Sequence, residues 1–123
     1  MNGKFPGPSI KVKKGSTIRI RVKNNLPNEG ITIHWHGLHM IDNFWMDGSK
    51  ISQCPIPGLT EFTYEIRADN SGTHWWHSHS HVQRMDGLFG ALIILEQEEI
   101  EERKTSIPLT LGDWFQAWLL KIT

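Results

Sequence analysis

The chain has 123 residues, with 13 Lys and Arg balanced by 13 Asp and Glu, 38% hydrophobic residues, 6 Trp, 7 His and one Cys. This length supports one compact domain, zero formal charge argues against a dedicated nucleic-acid binder, and a lone Cys excludes an internal disulfide scaffold. No apolar run approaches the ~18 to 20 residues that a membrane span needs, and the opening MNGKFPGPSI lacks the apolar core of a secretory signal.

That opening is a Gly- and Pro-rich turn, so we expect a first strand to precede it and the sequence to be part of a longer protein. Ile10, Val12, Ile18, Ile20 and Val22 alternate with Lys11, Lys13, Arg19, Arg21 and Lys23 around a break at Lys14-Gly15-Ser16, which predicts two half-buried strands joined as a hairpin. All seven charges before Glu29 are positive. No aromatic residue interleaves with them to stack on bases, so they read as the solvated face of that hairpin.

After a turn-rich break at Asn24 to Gly30, Ile31, Ile33 and Trp35 alternate with Thr32, His34 and His36 as another strand. Gly37 to Gly58 reads as a long loop, of the kind that is usually functional or mobile. Phe62 to Ile66 and Thr73 to His79 predict strands flanking an Asp69-Asn70-Ser71-Gly72 turn, and the apolar run Ala91 to Leu95 predicts a strand buried on both faces. Between His81 and Gly90 there is room for a turn or two of helix. Five Glu residues between positions 96 and 102 mark a solvated connector, and Ile107 to Phe115 then predicts one more strand without a partner in the chain. Regularly spaced strands with almost no helix predict an all-β sandwich or barrel.

All seven histidines lie in two segments, His34 to His39 and His74 to His81. His34-Trp35-His36, His77-Ser78-His79 and His79-Ser80-His81 are three His-x-His triplets where chance would give fewer than one. On a strand, residues i and i+2 project to one face about 6 to 7 Å apart, so two such strands side by side would converge four imidazoles. Imidazole suits Zn, Cu, Fe and Ni, and the missing thiolates argue against a structural zinc site.

The segments ITIHWHGLH and GTHWWHSHSHVQRMDGLFGALIIL, with MDGSKISQCPIPG between them, resemble the N-terminal cupredoxin domain of multicopper oxidases, specifically laccases of invertebrate type. The resemblance runs from about Asn2 to Phe115. It implies a cupredoxin-like Greek-key β sandwich or barrel lacking its first strand, a copper-binding domain over residues 1–97, and a connector leading into a second domain over 98–123. By the same resemblance His34 would hold a type 2 copper and His36, His77 and His79 a type 3 pair, together half of a trinuclear cluster. Asp47 matches an acidic residue that supplies protons for oxygen reduction. Cys54 matches a Cys that in some members is disulfide-bonded to another domain.

His39, His74 and His81 fall outside the ligand positions and are expected to be surface residues or hydrogen-bonding neighbours of the site. No His-Cys-His segment for a type 1 copper occurs, and the other four cluster histidines, which the family carries in a C-terminal cupredoxin domain, are missing. The implied parent reaction is one-electron oxidation of phenols or aromatic amines coupled to reduction of O2 to water, by a secreted enzyme of which this chain alone would be inactive. The alternatives are a catalytically silent copper-binding module and, least supported, a zinc hydrolase using Asp47 as base. A four-histidine face left uncovered further predicts a two-fold homodimer around shared copper.

Overall fold

The computed structural model describes residues 1–99 and 107–113. Six strands are present there: β1 (Ile10–Lys13), β2 (Thr17–Lys23), β3 (Ile33–His36), β4 (Glu61–Arg67), β5 (Gly72–Ser78) and β6 (Phe89–Leu95). A short 3-10 turn at Phe44–Met46 lies within the long loop between β3 and β4. The strands form two sheets, one of four strands in the order β1-β6-β5-β3 and one of two, β2-β4.

The period-two patterns do their work at the interface between the sheets. Ile18, Val22, Tyr64 and Ile66 of the smaller sheet pack with Ile33, Trp35, Trp76, Leu92 and Ile94 of the larger one in a single core cluster. β6 is buried along nearly its whole length, as its unbroken apolar run predicts. On its other face Ala91, Ile93 and Leu95 make a second, small apolar cluster.

Two expectations are corrected. β1 and β2 do not form a hairpin: β1 runs parallel to β6, whereas β2 pairs antiparallel with β4. Alternation specifies which face of a strand is buried but not its neighbour, and the turn at Gly15 (φ +82°) carries the chain from one sheet to the other. The strand expected over Ile107 to Phe115 is also absent from its described part. Ile107 to Asp113 is irregular, and Ile107, Leu109 and Leu111 are 84 to 90% exposed. Alternation alone supplies no backbone hydrogen bonds, and among the described residues no strand pairs with this segment. Most of the predicted connector, residues 100–106, and the final residues 114–123 lie outside the described residues. The segment after His81 forms consecutive turns, with the Met85 and Asp86 amides both donating to the Val82 carbonyl.

The free edge of β3 decides where the histidines stand. Among the described residues β3 pairs only with β5, so its outward amides need partners elsewhere. The Ile33 N–H donates to the buried Tyr64 hydroxyl at 3.0 Å, and on the β5 side, just before the strand, the Thr32 N–H donates to Ser80 Oγ at 3.1 Å. Tyr64 thus links the small sheet to the start of β3. Its phenol is held above the usual range chiefly by burial.

Candidate metal centre

Register turns the two histidine motifs into one cluster. β3 and β5 pair His34 with His77, Trp35 with Trp76 and His36 with Trp75. Trp35 and Trp76 point into the core, so the histidines occupy the opposite face. The His34 ring lies 5.4 Å from His36 and 5.2 Å from His77, centroid to centroid. One donor nitrogen from each of His34, His36 and His77 falls within 4.8 Å of the others.

His79 joins this group from just beyond the strand. β5 ends at Ser78, one residue earlier than the pattern predicts. The His79 amide donates to the Thr32 carbonyl, and its ring stands 5.7 Å from His34 and 6.0 Å from His77. All four sequence-predicted ligands are therefore brought together.

Two of the rings are already oriented. His34 Nδ1 lies 2.7 Å from the Asp47 backbone oxygen, and His77 Nδ1 lies 2.9 Å from the Ser78 carbonyl. A carbonyl only accepts, so both Nδ1 atoms carry the proton and both Nε2 lone pairs are left for a ligand. His77 Nε2 is buried and has no hydrogen-bond partner. A buried, unpartnered imidazole nitrogen facing two further imidazoles is chemically suited to a metal ion. Burial, helped by the nearby His34, Arg84 and His36 charges and opposed by the Ser78 carbonyl bond, pushes the His77 imidazole down to about 4. The ring thus stays neutral, as a ligand must, well below neutral pH.

Asp47 also stands at the site, with Oδ1 3.3 Å from His34 Nδ1. Its position depends on Gly48, which has φ +81° and lies so close to β3 that a Cβ there would sit 1.9 Å from the Ile33 carbonyl oxygen. Met-Asp-Gly reads as a turn in sequence, but nothing in it shows that the turn packs against β3.

Trp75 is a site residue that the sequence did not single out. Its ring is 4.2 Å from His77 and 5.2 Å from His36, and the Arg84 guanidinium lies 5.9 Å above it. The stacking follows from the cross-strand register, which no single segment reveals. His39 pairs with Asp69 at 3.8 Å on the surface, His81 is an exposed turn residue, and His74 lies on the other face of β5. None of the three joins the cluster. Cys54 is an exposed free thiol.

Comparison with known proteins places this geometry. A family model described as multicopper oxidase matches residues 1–99. The chain is 42% identical over 116 residues to dihydrogeodin oxidase of Aspergillus terreus, covering 93% of this chain and 19% of that protein. It is 42% identical over 120 residues to L-ascorbate oxidase of Nicotiana tabacum, covering 94% of this chain and 21% of the relative. Among solved structures, laccase from Botrytis aclada superposes with a TM-score of 0.75 at 43% identity, over 76% of this chain and 18% of that one. The chain thus spans about a fifth of the length of the curated relatives it matches.

Proposed function

The chain belongs to the multicopper oxidase family, and from that premise we propose that it is a laccase-type cupredoxin domain contributing four imidazoles to a copper cluster. The observation that carries this reading is the convergence of His34, His36 and His77 donors within 4.8 Å, one of them a buried nitrogen without a partner. His34 would hold a type 2 copper, and His36, His77 and His79 a type 3 pair. Bound copper supplies reversible one-electron storage, which allows single-electron donors such as phenols or aromatic amines to be matched to the four-electron reduction of O2.

The protein's own contribution is orientation, neutrality and proton handling. The Asp47 and Ser78 carbonyls hold His34 and His77 by Nδ1 and leave Nε2 for a ligand. Trp75 covers one side of His36 and His77. The Asp47 carboxylate, about one-third exposed with Oδ1 beside His34, reaches both solvent and the cluster, and we assign it the transfer of protons at Oδ1. The invertebrate-type assignment rests on the HWHG, QCPIPG, HSH and DGLFG segments alone.

Residues 1–97 form the copper-binding unit in this reading, and 98–123 lead toward a further cupredoxin domain that completes the cluster in a secreted protein. No described helix is long and apolar enough to cross a membrane. Cys54, the one Cys in the sequence, is exposed and outside the histidine group, so this chain offers no thiolate for a type 1 copper. That observation favours a second reading for the chain by itself, a copper-binding module without oxidase turnover.

EPR of the copper-loaded chain tests the site. Nitrogen hyperfine structure should appear and should vanish in a His77→Ala/His79→Ala double variant, and unchanged spectra would remove the site. The same sample should show neither intense blue absorption nor phenol oxidation above a free-copper control. Two copies could also face their histidines across a two-fold axis, and sedimentation with and without copper reads this out as copper-dependent dimers.

A further inference from the structure

The cluster histidines are not held alike. His34 and His77 are each fixed by a carbonyl on Nδ1, but among the described residues no hydrogen-bond partner holds the exposed ring of His36. Its direction depends on the Trp75 ring beside it and on the backbone that leaves β3 at Gly37.

That backbone is clamped. The Asn70 side-chain amide donates to the Gly37 carbonyl at 2.8 Å, and His74 Nε2 donates to the Asn70 backbone carbonyl at 2.8 Å. The His74 ring fits against two glycines. A Cβ on Gly37 (φ +95°) would sit 2.3 Å from His74 Nδ1, and one on Gly72 would sit 3.3 Å from Nε2. One imidazole, one amide and two missing side chains therefore lock the turn after β3 to the turn before β5.

We propose that His74 and Asn70 are positioning residues for His36, setting its ring for metal binding by holding the Gly37 backbone. This rests on the copper-site reading above. It assigns a role to a histidine on the opposite face of β5, which ligand spacing leaves unexplained. Neighbours that orient a metal ligand typically affect affinity by about 10- to 100-fold. The present contact acts through backbone, so the lower end is expected.

The test uses the full chain, metal-free and titrated with Cu(II) against a competing chelator. His74→Ala and Asn70→Ala should each weaken Cu(II) binding by about tenfold. In the metal-free state the His36 ring NMR signals should shift and broaden, while those of His34 and His77 stay in place. Gly37→Ala should give the same pattern, since its methyl displaces the His74 ring. His74→Gln keeps an N–H donor for the Asn70 carbonyl and should recover most of the affinity.

Wild-type affinity and sharp, unshifted His36 signals in His74→Ala and Asn70→Ala would overturn the proposal. A His74→Gln variant as impaired as His74→Ala would overturn the hydrogen-bond account. Asn70→Ala removes one side-chain bond at a turn, so it keeps the test valid if His74→Ala fails to fold. His36→Ala separates this proposal from the copper reading: unchanged Cu(II) binding there would sink the metal site, while the metal-free NMR signals would still decide the clamp.

Discussion

Two antiparallel strand pairs, β2–β4 and β3–β5, use the same ladder geometry to opposite ends. In the first, the exposed face sets Arg19 opposite Glu65, an ion pair at 2.7 Å, and adds Arg21 with Glu61 at 3.9 Å. In the second, one face sets His34 opposite His77 and leaves a buried nitrogen without a partner. Opposite charges across a ladder satisfy each other. The His34–His77 face differs in that both Nδ1 atoms are taken by carbonyls, and the buried His77 Nε2 is left without a partner among the described residues.

The largest expected effect breaks the comparison at its centre. His34→Ala with His77→Ala should reduce Cu(II) affinity by more than ~100-fold, whereas Arg19→Ala with Glu65→Ala should leave it unchanged, as measured by chelator competition. Next comes the loop that lies along β3. Gly48→Ala forces a methyl into the Ile33 carbonyl at a positive φ and should cost about 3 kcal/mol in denaturant unfolding.

Acid should then act on the histidine pair through His77. His77 has a folded pKa of about 4 against an ordinary 6.5. Between those values the unfolded chain binds the extra proton, so metal-free stability present above pH 6.5 is lost as pH falls toward 4. The shift corresponds to about 3 kcal/mol, and thermal melts of His77→Gln should show a flatter profile across that window.

A smaller effect is expected where the two sheets are joined. Tyr64→Phe removes the acceptor for the buried Ile33 N–H and should cost about 1 to 3 kcal/mol. The smallest belongs to the charged ladder. Arg19 and Glu65 are 72% and 51% exposed along their side chains, so a double-mutant cycle should give under about 1 kcal/mol, fading with added salt.

The contrast between the pairs also shows how much the sequence discloses. His-Trp-His and His-Ser-His place imidazoles on one strand face because parity within a strand is local information, while the choice of His34, His36, His77 and His79 as ligands comes from the family resemblance, since parity alone would also admit His81. Partners are not local. The same parity in Ile10 to Val22 could not show that β1 joins β6 while β2 joins β4, and it promoted Ile107 to Phe115 to a strand whose described part, Ile107 to Asp113, is irregular. Trp75, Tyr64 and Gly48 were missed, and the partners of His74, expected only as a surface residue or hydrogen-bonding neighbour, could not be named, for one reason. Each acts through a contact made only when distant segments meet.

The free edge of β3 carries one last consequence, which concerns alignment. Because the side-chain period of a strand is two, sliding β3 by two residues would set His36 opposite His77 and His34 opposite His79, with every side chain still on its own face, although Trp35 would then face Ser78 and not Trp76. The alternation is therefore blind to this error. What tells the two alignments apart is the Trp35–Trp76 pair, together with contacts beyond the ladder, Tyr64 receiving the Ile33 N–H and Ser80 receiving that of Thr32. The motif is consequently not portable by itself: grafted onto another pair of strands, the two His-x-His segments would bring the ligands without the ruler that sets them side by side.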